Sequence, residues 1–203
     1  MSGFDLAGVS RETLDRLAAF EGLVHKWNPV INLVARSTLP DIRARHTVDS
    51  LQLAFLAPAN TRSWVDLGSG GGFPGLIVAI AAPELLPGLK VTLIESDQRK
   101  SAFLRTVVRE LSLCATVVTA RVEAVPPLSA DVVSARALAP LDRLIAYAER
   151  HLTETGVALF PKGAAADQEI EEALEHWRFS LQKTPSKTDP AGVVLRIGGI
   201  ARV

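Results

Sequence analysis

Apolar positions recur with a helical period from Ser10 to about Trp27, where Leu14, Leu17, Val24 and Trp27 fall close to one face and Ser10 stands where an N-cap belongs. The helix has to end near Asn28-Pro29, because the residue before a proline is pushed away from α geometry. Val30 to Val34 reads as a short extended or turn element. After Pro40 a second helical zone runs through His46-Thr-Val-Asp-Ser-Leu-Gln-Leu-Ala-Phe55, with Val48, Leu51, Ala54 and Phe55 as its apolar stripe. Pro58-Ala-Asn60 closes this helical part.

From Ser63 the period changes. Apolar, β-branched runs at Trp64–Leu67, Val91–Glu95, Ala115–Ala120, Asp131–Ala135 and Gly156–Phe160 alternate with helical stretches. The helices follow Pro74, run from about Asp97 to Leu111, from Pro140 to about His151, and near Asp167 to Trp177. Two further strands, Phe179–Lys183 and Val193–Ile197, end the chain. Such alternation means a parallel sheet covered on both faces. The last pair has no helical crossover between its strands and so must be antiparallel. The expectation is an α/β fold with a seven-stranded, mostly parallel sheet, the Rossmann-like architecture of class I methyltransferases dependent on S-adenosylmethionine (SAM). Residues 1–60 would form an N-terminal helical extension packed on the core, and 61–203 the methyltransferase domain.

Bulk composition narrows the class. At 203 residues, 48% hydrophobic and 22% charged, the chain suits one well-cored globular domain. Lys+Arg and Asp+Glu are both 22, so no global basic field advertises nucleic acid and any RNA contact has to be a local patch. A single cysteine, Cys114, excludes an intrachain disulfide and fits a reducing compartment. The start, Met1-Ser-Gly-Phe-Asp-Leu6, lacks the basic and apolar regions of a secretory signal. The longest apolar stretch, Leu76 to Pro83, is far below the roughly 18 residues of a membrane span. The expected setting is the cytoplasm, with a monomer as the default. Four scattered histidines and one cysteine show no metal-ligand spacing.

The chemistry concentrates in Trp64-Val-Asp-Leu-Gly-Ser-Gly-Gly-Gly-Phe-Pro-Gly75, a strand running into a glycine-rich turn and a helix start. Glycines let backbone approach a ligand where a Cβ would collide, and Pro74 suits a first helical turn. Gly70-x-Gly72-x-x-Gly75 satisfies the dinucleotide pattern, but Asp66, two residues before the first glycine, would repel a pyrophosphate. Read from the strand end, Asp66-x-Gly68-x-Gly70-x-Gly72 is the acid-x-Gly-x-Gly form of SAM enzymes, whose ligand brings an ammonium and no phosphate. Asp66 would serve that ammonium directly or through backbone and water, and Glu95, ending the second strand, would accept the ribose hydroxyls. The competing structural readings are a turn cap for Asp66 and a helix cap near Glu95.

Five segments together resemble one family, the bacterial small-subunit ribosomal RNA methyltransferase G family, also called glucose-inhibited division protein B. They are Trp27-Asn-Pro-Val-Ile-Asn-Leu33, Arg45-His-Thr-Val-Asp-Ser-Leu51, Val65 through Gly75, Leu93-Ile-Glu-Ser-Asp-Gln-Arg-Lys100 and Ser134-Ala-Arg-Ala137. The first two lie outside the cofactor core and so discriminate between methyltransferase families. The resemblance implies transfer of a methyl group from SAM to N7 of a guanine, position 527, in the 530 loop of 16S rRNA. The partner is then 16S rRNA, as naked RNA, an assembly intermediate or the 30S subunit. N7 carries a lone pair and no proton, so positioning rather than a general base would dominate catalysis.

By the same resemblance, Gly68 and Phe73 match SAM contacts in the glycine loop, and Val122 and Glu123 match contacts beside the adenine. Arg136 matches the arginine just past the fourth strand, where it would grip guanine, RNA phosphate or the SAM carboxylate, against the plainer reading of a salt bridge. Arg36, Arg43, Arg45, Arg99, Lys100 and Lys162 form a candidate basic rim for RNA, although charged helix faces are usually just solvated. His46 and Asp49, three apart on a helix, read first as a structural hydrogen bond. Two rival functions remain: a SAM methyltransferase of a small molecule or protein, and a nucleotide-binding Rossmann protein.

Overall fold

The computed structural model describes residues 8–203. The segment Met1–Leu6, in which the sequence shows no secretory signal, lies outside the described residues. Helix α1 (Arg11–Trp27) starts as its sequence dictates, with the Ser10 hydroxyl accepting from the Thr13 amide. A 3₁₀ turn (Arg36–Thr38) and a π-helical turn (Arg43–Val48) lead into α2 (Asp49–Leu56). The expected second helical zone is therefore present, but its first half is wound as π, which the apolar spacing did not reveal. Phe55 also departs from the expected stripe, being 45% exposed while Val48, Leu51 and Ala54 are buried.

The core then follows as β1 (Ser63–Leu67), α3 (Gly75–Leu85), β2 (Lys90–Glu95), α4 (Gln98–Glu110), β3 (Ala115–Thr119), β4 (Ala130–Ala135) and α5 (Leu141–His151). It closes with β5 (Leu152–Lys162), α6 (Ala166–Leu174), β6 (Trp177–Pro185) and β7 (Val193–Arg202). The seven strands lie in the order β3-β2-β1-β4-β5-β7-β6, and β7 is reversed relative to the other six. This is the expected α/β architecture. Several boundaries differ from expectation, and β7 runs on to Arg202 rather than ending at Ile197. Trp177 opens β6 rather than ending a helix, because its buried ring joins the core and its Nε1 donates to Asp142 Oδ1 at 2.9 Å. Strand β5 starts at Leu152, with an irregularity where Ala130 pairs Leu152 but Val132 pairs Val157.

Strand residues alternate between two apolar layers. Trp64, Leu93, Val132 and Leu159 face one side, with α3, α4 and the N-terminal helices; Val65, Leu67, Val133 and Phe160 face the other, with α5 and Ile170 of α6. Helix α3 is buried at every position from Gly75 to Ala82, which explains its uniformly apolar sequence. The elements covering its outer side belong to the first 60 residues: Leu17, Phe20, Val24, Leu51 and Leu53 share one apolar cluster with Leu76, Ile77 and Ile80. Phe20 is the hinge of that layer, its ring 5.1 Å from Phe73 in the glycine loop and 6.5 Å from Phe103 in α4. No helix among the described residues is long and apolar enough to cross a membrane.

Phe20 is fully buried among these rings, so Phe20→Ala should destabilise the fold by about 3–5 kcal/mol. Urea denaturation checks this; a loss below about 1 kcal/mol would show the N-terminal layer to be loosely attached.

Candidate functional site

The carboxyl ends of β1, β2, β3 and β4 align, with Leu67 opposite Ile94 and Ala135, and Glu95 opposite Thr119. Strand order reverses between β1 and β4, and at such a switch point the loops part to leave a crevice. Two cavities occupy it. The smaller, about 330 Å³, is lined by Gly68, Gly70, Glu95, Lys100, Val122 and Glu123 among others. The larger, about 830 Å³, is walled by residues including Arg45, Asp49, Lys162, Glu169, Ser186 and Thr188. Arg136, Ala137, Leu138 and Ala139, the loop after β4, line both. That loop is the wall between them.

Glu95 organises the smaller cavity. It is 8% exposed; Oε2 accepts from the Gly70 amide at 2.8 Å and Oε1 from the Asp97 amide at 2.8 Å. Each carboxylate oxygen keeps a further lone pair, so the group can still accept from a diol. Gly70 sits at φ +53°, a left-handed conformation that favours glycine, and an added Cβ would meet nothing closer than 3.7 Å. Its role is backbone shape. The cavity therefore offers a carboxylate acceptor, backbone from a glycine turn, the apolar Ile94 and Val122, and the cations Lys100 and Arg136. That donor and acceptor set fits the ribose, adenine and carboxylate of SAM, and the volume falls at the low end for ligand sites, about 300–1,000 Å³.

Three expected cofactor residues point elsewhere. Asp66 is fully buried behind the loop: Oδ1 accepts from Ser134 Oγ at 2.7 Å and Oδ2 from the Gly75 amide at 3.2 Å. Ser134 is itself anchored by Trp64 Nε1 at 2.8 Å. Direct contact between Asp66 and a ligand ammonium is thereby corrected; what the carboxylate holds is the backbone at Gly75. Gly72 does not face the cavity either, since a Cβ there would strike Leu76 at 2.4 Å, so this glycine serves helix packing. Phe73 packs inward on Phe20, with its ring 5.2 Å from His46 and under the Arg136 guanidinium at 5.3 Å.

Glu123 and Val122 lie on a 3₁₀ turn (Val122–Ala124) at the cavity edge. The Glu123 carboxylate accepts from Tyr147 Oη and from Arg143 Nη2, the latter at 2.7 Å. The tyrosine hydrogen bond, then the backbone and Arg143, hold its pKa down at about 2. Tyr147 and Arg143 line the same cavity and were not foreseen, because they sit on α5, far from the glycine motif.

Arg136 is held on three sides. Nη2 donates to His46 Nδ1 at 2.6 Å, Nη1 lies 3.5 Å from Asp49 Oδ2, and Phe73 lies beneath. Arginine can only donate, so His46 Nδ1 must be unprotonated and the Nε2 proton goes to Thr38 Oγ1 at 2.8 Å. Thr38 in turn donates to the Ala35 carbonyl at 2.9 Å. Burial first, then the charges of Arg136 and Arg45, push the His46 pKa down to about 4, consistent with a neutral acceptor. Burial also lowers the pKa of Arg136, opposed by Asp49 and Asp66. The expected salt bridge and the expected place in the site thus coexist in one residue.

The basic rim is only partly realised. Arg36 and Arg45 are exposed, and Arg45 edges the larger cavity. Arg43 is committed to Glu21 at 2.9 Å, and Arg99 lies 3.6 Å from Asp97. Lys100 belongs to the smaller cavity. Lys162 is corrected as an RNA contact: its side chain is 10% exposed, bonded to Glu169 at 2.7 Å and to the Ala139 carbonyl at 3.1 Å. There it pins the end of the shared wall. Among the described residues no group of His, Cys, Asp and Glu could hold a metal ion.

Burial raises the Asp66 pKa from 3.8 to about 6, outweighing the opposing hydrogen bonds from Ser134, Ser69 and Gly75 and the charge of Arg136. A raised carboxyl pKa makes the fold bind more protons than the unfolded chain between those values, so this contribution to stability falls as pH rises through the window. His46, with its pKa lowered from 6.5 to about 4, acts in the opposite sense over nearly the same range. The stability difference between the wild type and Asp66→Asn isolates the first term. It should fall by about 2 kcal/mol from pH 4 to pH 6, read by urea denaturation at each pH; a flat difference would contradict the buried, raised carboxyl.

The sequence places the chain among relatives. Residues 13–190 match the family model described as rRNA small subunit methyltransferase G. The chain is 52% identical over 195 residues to the ribosomal RNA small subunit methyltransferase G of Ruegeria pomeroyi, covering 96% of this chain and 95% of that one. It is 54% identical over 195 residues to the protein of the same name from Rhodospirillum centenum, covering 96% and 88%. In fold it is similar to a TehB-like SAM-dependent methyltransferase from Corynebacterium glutamicum, with a TM-score of 0.58, 16% identity and coverage of 90% of this chain and 98% of that one. It is also similar to M. jannaschii TYW2 in complex with AdoMet, with a TM-score of 0.55, 16% identity and coverage of 76% and 75%. With a Rossmann-like sheet of reversed β7, a glycine loop clamped by Glu95 and a family match across most of its length, the chain belongs to the rRNA small subunit methyltransferase G family.

Proposed function

We propose that this protein transfers a methyl group from SAM to N7 of a guanine in the 530 loop of 16S rRNA. One observation carries the reading from geometry: the four-residue wall Arg136–Ala139 is shared by a cavity suited to SAM and a larger one open to a second reactant. Bound in the smaller cavity, SAM supplies an electrophilic methyl group on a sulfonium. The chain's own residues supply placement. Glu95 would orient the ribose, Gly68 and Gly70 give the backbone floor, and Val122 with the Glu123 backbone would flank the adenine. Arg136, reaching both cavities, would orient the acceptor or the SAM carboxylate.

The acceptor atom suits this equipment. Guanine N7 bears a lone pair and no proton, so no base has to remove one, and His46, beside Arg136, is tied up as its acceptor. Catalysis would rest on holding two reactants in line. Arginine's planar donor fork matches guanine O6 and N7. Single-stranded loops are where a protein can reach base edges, and the larger cavity is broad enough to admit one flipped base. We read residues 1–60 as a helical extension of the methyltransferase domain. The substrate is read as 16S rRNA within the small subunit or an assembly intermediate, engaged by a monomer with Arg36 and Arg45 at the rim.

Two outcomes are expected. Glu95→Ala should weaken SAM binding by about 1–3 kcal/mol in folded protein, measured by calorimetry; unchanged affinity would remove Glu95 from the cofactor site. With tritiated SAM, label should enter 16S rRNA or the small subunit, fall as salt rises, and yield a chain cut in the 530 loop after borohydride and aniline. Label without that cut would leave a methyltransferase but defeat the assigned target atom.

A further inference from the structure

Asp49 has no role in the family-level reading, and its surroundings are unusual for a residue in the first turn of a helix. The π turn runs directly into α2, so the Asp49 carboxylate has no free helix end to cap. Oδ2 lies 3.5 Å from Arg136 Nη1, 87 residues away in the chain. Oδ1 accepts from Gln52 Nε2 at 2.8 Å, from Ser186 Oγ at 3.3 Å and from Thr188 Oγ1 at 3.0 Å, the last two from the β6–β7 connection. Gln52, one turn on, accepts from the Lys187 amide at 3.2 Å. The β6–β7 connection forms one side of the larger cavity, and Arg136 belongs to the wall that separates it from the smaller one. One carboxylate therefore ties together both sides of the larger cavity.

We propose that Asp49 is a positioning residue for methyl transfer, holding Arg136 with one oxygen and the β6–β7 loop with the other. The proposal rests on the methyltransferase reading above. Its physical basis is that Arg136 has long-range freedom to lose. The guanidinium follows Ala135 at a strand end and precedes Ala137, whose φ of +52° is a left-handed conformation rare for a residue with a Cβ. A side chain on such a loop keeps one direction only if outside partners fix it. Here they are His46 as neutral acceptor and Asp49 as counter-charge, both carried by the π turn and the start of α2. At 19% and 15% side-chain exposure the Arg136–Asp49 pair is shielded from solvent, so its attraction is screened less than that of a surface pair. The N-terminal helices thus act on the reaction through Arg136, in addition to any contact they make with RNA.

Asp49→Asn separates the two arms. Asparagine Oδ1 can still accept from Ser186 and Thr188, while its amide turns donors toward Arg136 in place of a negative charge. The test is a mutant cycle of wild type, Asp49→Asn, Arg136→Lys and the double variant, each assayed by single-turnover methylation of small-subunit RNA at saturating SAM. Each single change should slow transfer about tenfold or more, with SAM affinity within about twofold of wild type for Asp49→Asn. The double variant should be no slower than the slower single by more than about threefold, because both changes remove one arrangement. A double variant as slow as the product of the two singles would overturn the proposal. If Arg136→Lys shows no measurable transfer, the guanidinium nitrogen resonances of Arg136 decide: faster exchange in Asp49→Asn supports the arrangement and unchanged exchange overturns it. Wild-type RNA that takes up no label would instead refute the methyltransferase reading, so the two failures are distinct.

Discussion

A carboxylate sealed inside the protein is the constraint on which the site depends. Asp66, one residue before the end of β1, has no exposure, one oxygen taking the Ser134 hydroxyl from β4 and the other the Gly75 amide at the start of α3. Those two bonds fasten the strands on either side of the switch point and the helix that follows the glycine loop. Burial of an acid is costly, and the rise of its pKa to about 6 shows that the hydrogen bonds offset only part of that cost. What it secures is the path of the chain from Leu67 to Gly75. The neighbouring backbone tolerates no change here: a Cβ at Gly75 would press on Asp66 and Leu93 at 2.7 Å and 2.4 Å. Glu95 then fixes the half-buried crest of the loop by taking the Gly70 amide. The two acids divide the work, one holding the loop from behind and the other from the ligand side.

The loop after β4 depends on the same frame. Ser134 is locked to Asp66 and Trp64, so the chain leaves β4 in a set direction and Arg136 emerges two residues later. Leu138 leans over Gly68, where an added Cβ would meet it at 2.6 Å, and Lys162 takes the Ala139 carbonyl from the far side. Glu169 completes this end by accepting both from Lys162 and from the first amide of α5. The wall between the cavities is therefore held at Arg136 by His46 of the π turn and Asp49 of α2, and at Ala139 by Lys162 of β5, which Glu169 of α6 holds in turn. A reaction that needs no proton removed asks for little else from the protein, and this construction gives placement rather than acid–base groups.

Much of this was legible in the sequence, and for identifiable reasons. The seven strands follow from β-branched apolar runs whose period differs from that of the helices, and the reversal of β7 follows from the lack of room for a crossover. Glu95 could be placed because a strand-ending acid after a glycine turn faces the crevice by geometry. Asp66 was equally visible, but a sequence does not say which way a strand residue points, and its side chain turned out to serve the fold. Phe73 and Gly72 were misdirected for the same reason: adjacency to a motif is not exposure to its ligand. Lys162 read as an RNA contact because its partner Glu169 lies seven residues on, across a turn that no periodicity describes. The π turn at Arg43–Val48 and the β6–β7 loop contacts to Asp49 are tertiary in origin, so nothing local announces them. Ser186-Lys-Thr-Asp-Pro190 does carry turn chemistry, which signals a tight loop without saying where it docks.

The central proposal is spatial: the methyl group of SAM bound in the smaller cavity would lie against the wall formed by Arg136 to Ala139. The most direct measurement is an NMR spectrum of the protein saturated with SAM carrying a ¹³C-labelled methyl group, read for through-space contacts from that methyl. Cross-peaks to the side chains of Ala137, Leu138 or Ala139 are the predicted result. Contacts confined to residues away from this loop, with SAM demonstrably bound, would contradict the account.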